Sequence, residues 1–275
     1  RAVALGRLAL PYAMFRFEVR PRRARRPEPT EHRAAAPGAR RRLPAPRFGP
    51  ATSWAQLVKR TRFDVGQVLK SPAFVVLLLL GLFNSLGALV LGAEANGAAI
   101  YPVTRWVILT LNGAFTFLVL VVAVYYAGEL VWRERERRTH EIVDATAAGD
   151  WSFLIPKFLA IVLVLASMLV VSAAAGMAVQ LGMGLTAIQP GKYLAWYILP
   201  NAIDWTLVAA IAVFFQAITP HKFIGWGLMV VFLIAQITLP RIGLDHNLYL
   251  YGGYSPTPLS DMHGQGRYAG FAAWF

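Results

Sequence analysis

Long apolar runs, a mean hydropathy of +0.50 and a basic surplus confined to the first quarter of the chain predict an all-α fold. The expected architecture is a polytopic membrane helix bundle with five spans, a sixth begun at the C-terminus, and an interfacial amphipathic helix before the first span. With 57% hydrophobic residues, a domain of 275 residues lacks the polar surface that dissolves a globular protein of that size. Residues 1–72 hold 17 of the 27 basic residues and 4 of the 14 acidic ones, which accounts for the whole formal charge of +13. Such an arm suits nucleic acid or an anionic membrane surface. It abuts a long apolar run, so membrane lipids are the expected partner and nucleic acid is not. With no cysteine, disulfide and thiolate–metal chemistry are excluded.

The chain divides into three parts. In residues 1–50, the stretch 20–50 has seven prolines in 31 residues and few large aliphatics, which predicts a disordered basic cytoplasmic linker. Arg7 and Pro11 interrupt the apolar opening, so it reads as the tail of a preceding span and not as a signal peptide. The second part, 51–72, carries a helical stripe of Trp54, Leu57, Val58, Thr61, Val65, Val68 and Leu69, with Lys59, Arg60 and Arg62 off it. Thr52 or Ser53 is the expected N-cap and Pro72 the stop. A basic amphipathic helix in this position is expected to lie in the headgroup plane.

The third part, 73–275, is the membrane domain. About 20 apolar residues cross a hydrocarbon core of about 30 Å. Spans are therefore expected near 73–93, 106–127, 156–178, 198–218 and 223–240, as helices, because only helices satisfy the backbone in lipid at these lengths. Arg133, Arg135, Arg137, Arg138 and Lys157 surround the second loop, and His221 and Lys222 form the fourth; the first and third loops offer only Arg105 and Lys192. This bias places the N-terminus, the second loop and the fourth loop in the cytoplasm and the tail 241–275 outside. The closing Ala269–Phe275 reads as the first turns of a further span, and the chain as a piece of a longer polypeptide.

No catalytic signature is present. His140-Glu141-Ile142-Val143-Asp144 starts like a zinc-binding HExxH helix, but Asp144 stands where the second imidazole is needed. No phosphate-binding loop occurs, so ATP, if used, belongs to another chain. Asp204 is the one charge inside a span, and an intramembrane carboxylate is a functional candidate by default. Asn201 as N-cap with Asp204 in the first turn is the structural alternative, an acid at the positive end of a helix. Asn84, Asn112, Gln180, Gln216 and Gln236 suit either a substrate path or interhelical hydrogen bonds, and Ser172 with Gly176 suggests close helix packing.

The segment 129–157 is the most informative. Glu129 over Arg133, Glu134 over Arg138 and Arg137 over Glu141 are i,i+4 pairs, which predict a helix reaching beyond the lipid. Ala145–Gly149 is a natural break, Asp150 a cap for the next helix, and Pro156 fits the first turn of the third span. The length and ordered charges point to a docking surface comprising Glu134, Arg135, Glu136, His140, Glu141, Asp144, Thr146 and Asp150.

At this loop the sequence resembles the type-2 ABC exporter permeases. The resemblance rests on Glu134, Arg135, Glu136, His140, Glu141, Ile142, Val143, Ala145, Thr146 and Lys157, with 53–72 matching the family's interfacial connecting helix. The runs YYAGELVWRERERRTHEIVDAT, PGKYLAWYILP, PHKFIGW, DHNLYLYGG and PLSDMHGQGR are similar to large bacterial membrane proteins that join two permease halves to a C-terminal zinc aminopeptidase-like domain. Ala147 stands where the family's turn usually has Pro, and no peptidase residues are present. The resemblance implies a non-enzymatic permease part in the bacterial inner membrane. Its partners would be a cytoplasmic ABC ATPase subunit, which binds the ATP, and a second permease half or second copy. A non-transporting scaffold that anchors a zinc aminopeptidase is the alternative.

Overall fold

The computed structural model describes residues 49–92, 101–141, 145, 151–244, 246, 249 and 251–252. Of the linker expected over 1–50, residues 1–48 lie outside the described residues, as do the start of a sixth span and Asp144, Thr146 and Asp150; Pro50 already belongs to the first helix. Those described form helices and turns: α1 (Pro50–Leu69), α2 (Pro72–Gly92), α3 (Thr104–Glu136), α4 (Trp151–Gly182), α5 (Pro190–Ile218) and α6 (Lys222–Thr238), the last extended by the 3-10 turn Leu239–Ile242. From α2 onward, all five are long and apolar enough to cross a membrane, the architecture of a multi-pass membrane protein.

Local chemistry sets the helix starts. Gly49 is extended at the head of α1, with Pro50 in the first turn, where its missing N–H costs nothing. The cap therefore falls before the expected Thr52 or Ser53. Ser71 caps α2, its Oγ accepting from the Phe74 N–H at 3.2 Å, and Pro72 opens that helix in addition to barring extension of the previous one.

The 33 residues of α3 reach about 50 Å, well past a hydrocarbon core of about 30 Å. This helix touches all four other spans and supplies the largest share of the core, from Val107, Ile108, Leu111 and Phe115 down to Ala127 and Leu130. Small residues bring its neighbours close. A Cβ on Gly81 of α2 would sit 2.7 Å from the Phe115 ring, and one on Gly176 of α4 would sit 3.0 Å from Leu111 and Val107. The outer faces of α2 and α6 carry exposed Val76, Leu79, Phe83, Leu91, Val231 and Ile237, side chains at home in hydrocarbon.

Two helices begin earlier than the apolar runs imply. α4 starts at Trp151, so Pro156 lies inside the helix and not in its first turn. α5 starts at Pro190 and runs through a π-helical stretch, Leu194–Ile198. There the Leu199 N–H bonds the Leu194 carbonyl, five residues back, and Pro200, which has no N–H, comes next as the α ladder resumes. The helix continues through Asn201, which is not an N-cap. Asp204 is accordingly well inside α5, not in a first turn.

The polar residues of the spans cross-link helices. Gln180 donates to the Pro102 carbonyl at 2.8 Å and accepts from the Tyr193 hydroxyl at 2.7 Å; Ser172 pairs with the Tyr197 hydroxyl at 2.7 Å. Asn201 donates to Asn112 at 3.0 Å, and Asn84 to the Ala114 carbonyl at 2.8 Å. Gln236 accepts from the Tyr251 N–H at 3.2 Å, tying down part of the Tyr/Gly-rich tail.

Gly81→Ala should lower thermal stability in detergent by about 1–3 kcal/mol, because Phe115 is only 1% exposed and has no room to yield. Gly87→Ala, in the same helix with nothing within 4 Å of its Cβ, should be neutral or stabilising, since alanine is the better helix former by about 1 kcal/mol. Thermal aggregation followed by size-exclusion fluorescence separates the two.

Candidate functional site

Basic and acidic side chains gather at one end of the bundle, where α1, the end of α3 and the start of α4 meet. α1 docks through Leu57, Thr61, Val65 and Val68 of its apolar stripe together with Asp64, a face turned by roughly 35° from the centre of that stripe. Trp54, Val58 and Leu69 are left exposed, while Arg60 is drawn inward. Charge pairing explains the rotation. The Asp64 side chain is completely buried and accepts a hydrogen bond from Arg133 of α3, which also donates to Gln67 at 2.7 Å. Taking a carboxylate out of water costs several kcal/mol, so this contact forms only with a cation in place.

Glu134 occupies the other side of the junction. One oxygen accepts from Arg60 at 2.9 Å and the other from Lys157 of α4, with the Arg133 guanidinium 3.8 Å away. The Lys157 ammonium also lies 3.4 Å from the Val131 carbonyl. Arg60 rests over the Phe153 ring, 4.2 Å from its centroid. Two acids and three cations thus join three helices at one point.

A second clasp reaches α6. Lys222 pairs with Glu129 at 3.2 Å and with Glu136 at 2.5 Å. Beside it, the Trp132 N–H donates to Gln216 at 3.0 Å, and the Gln216 amide lies 3.4 Å from the Lys222 carbonyl. Arg135 lies over the Trp132 ring, 4.9 Å from its centroid, and His221 stacks on the same indole.

The expected i,i+4 pairs give way to these interhelical ones. α3 ends at Glu136, Arg137 caps it, and Arg138 takes a positive φ of 54°, so Arg138 and Glu141 fall off the helical spacing. Glu129 and Glu134 turn instead to lysines and arginines of other helices, in surroundings drier than an exposed helix face, where the same attraction is stronger. Of the expected docking residues, Glu134 and Glu136 are held in the two clasps, Arg135 lies on Trp132, His140 is half-buried and Glu141 is exposed. Gln216, Asn112 and Asn84 bridge helices, and Asp204 lies along α5 away from this junction.

Arg60, Asp64 and Gln67 are the members that the apolar stripe concealed. One signal for them is present: Asp64 is the sole acid between Glu31 and Glu94, four residues after Arg60 in a basic helix. An acid in that position has a nearby cation to meet.

Arg133→Met should destabilise the protein by about 3–5 kcal/mol, because it strands the buried Asp64, and adding Asp64→Asn should restore much of the loss. Arg60→Gln, at a side chain 27% exposed, should cost no more than about 1 kcal/mol. Melting temperatures of the three variants in one detergent check this order. No protein-family model matches the chain, and no curated protein or solved structure is significantly similar to it.

Proposed function

We propose that the chain is a membrane-embedded permease part of an ABC-type exporter, coupling ATP hydrolysis in a partner subunit to substrate movement across the membrane. The observation that carries this reading is the double clasp. Asp64, Arg133, Glu134 and Lys157 bind α1, α3 and α4 into one unit, and Lys222 adds α6 through Glu129 and Glu136. A load applied to the segment 134–150 is therefore delivered to four helices together. That is the mechanical requirement for rigid-body rocking between two access states.

In this reading the clasped end faces the cytoplasm, in agreement with the concentration of lysine and arginine there. The exposed Glu141, just beyond α3, belongs to the surface that meets the ATPase, and no nucleotide chemistry is assigned to this chain. A second permease half, or a second copy, completes the substrate path.

Glu141→Lys should reduce stimulation of the partner ATPase in reconstituted vesicles by roughly tenfold, the scale of an ordinary coupling free energy, with the melting temperature unchanged. Full stimulation by this variant, or unaltered function with 137–150 replaced by a Gly/Ser linker, would favour the membrane-scaffold reading. Cysteine at Arg135 should label from the cytoplasmic side only; labelling from the opposite side overturns the orientation.

A further inference from the structure

We infer that the cleft between α1 and the α3–α4 junction holds the phosphate of an anionic membrane phospholipid. The cleft has a volume of about 640 Å³, within the range of roughly 300–1,000 Å³ typical of small-ligand sites. Its walls carry Lys59, Arg60, Arg133 and Arg137 against two carboxylates, Asp64 and Glu134.

Those carboxylates do not cancel the field at the opening. Asp64 is fully buried on Arg133, and Glu134 is shared between Arg60 and Lys157. Lys59 and Arg137, both exposed at the rim, are in no ion pair among the described residues. The cleft thus presents two cations that no acid among the described residues engages, one on α1 and one at the cap of α3, both lining a shared space. Both are available to the oxygens of a phosphodiester, and Phe63 and Phe153 supply apolar wall for the glycerol and the first methylenes.

Depth selects a lipid as the source of the phosphate. Lys157 immediately precedes the uncharged run 158–191, and Arg133 lies five residues past the end of the uncharged run 106–128, or about 7.5 Å along the helix. The headgroup layer on each side of the hydrocarbon is of that order, roughly 5–8 Å. A basic pocket between helices at this level meets anionic headgroups continuously. The assignment depends on the membrane architecture and not on the ATPase-coupled reading.

The test uses the full chain in a neutral detergent, with phosphatidylglycerol, phosphatidylcholine or inorganic phosphate added, read by melting temperature and by native mass spectrometry of retained lipid. Phosphatidylglycerol should raise the melting temperature and stay bound. Lys59→Ala/Arg137→Ala should weaken that binding roughly thirtyfold, each surface cation contributing about fivefold. Arg105→Ala/Arg241→Ala, which removes exposed cations elsewhere, should bind as the wild type does, and so should the charge-conserving Lys59→Arg/Arg137→Lys. Equal retention of phosphatidylcholine, or unweakened phosphatidylglycerol binding by the alanine pair, overturns the proposal. So does competition by millimolar inorganic phosphate, which would mark a soluble-anion site, or no phosphatidylglycerol binding by the wild type, which would leave the cleft to a protein partner.

Discussion

The pairing of Arg133 with the buried Asp64 fixes how α1 meets the rest of the molecule. An aspartate removed from water needs a cation in contact, and the arginine that supplies it stands at the far end of the longest helix. Once that contact is made, α1 has one allowed rotation. The same rotation carries Arg60 to Glu134, and Glu134 in turn holds Lys157 at the mouth of α4. Each ion pair is modest alone. They share residues, so none forms without constraining the next, and the junction is set as a whole.

α3 distributes that constraint. It contacts every other span, and the side chains along it change character with depth. Near Thr104 it shares Gln180 and Tyr193 with α4 and α5; in the middle it packs Phe115 against Gly81; beyond Tyr126 it carries the charges. Tyr126 itself hydrogen-bonds Ser71, the cap of α2, so the turn between α1 and α2 is tied to the same helix. Hydrocarbon offers no hydrophobic force to gather helices, and small residues, hydrogen bonds and ion pairs take that part here.

The opposite end of the bundle is organised by amides and hydroxyls. The π-helical stretch of α5 places both Tyr193 and Tyr197 in the interior, each on a polar side chain of α4. Its wide turn also resolves the difficulty of Pro200 in mid-helix, because a register shift of one residue falls where the missing N–H would have been used. Asn201 bonds both the Tyr197 carbonyl and Asn112, which joins α5 to α3 just beyond the irregular turn.

Span number, approximate span positions and the concentration of charge at alternate loops come from composition alone. Hydrocarbon as solvent forces apolar, helical segments of a given length, and that rule reads along the chain. Polar residues such as Asn84, Gln180 and Gln216 stood out for the same reason: in lipid they need a partner, in a substrate path or on another helix. The partners themselves did not. Arg133 and Asp64 lie 69 residues apart, Arg60 and Glu134 lie 74 apart, and Lys222 and Glu129 lie 93 apart, and no local pattern couples them. The apolar stripe of α1 supplied four of the five docking residues, Leu57, Thr61, Val65 and Val68, and missed Asp64, because periodicity weighs hydrophobicity and ignores a buried ion pair. The start of α5 at Pro190, ahead of the proline that looked like its beginning, was likewise decided by packing: two tyrosines held by α4 keep the chain helical where its own sequence would break it.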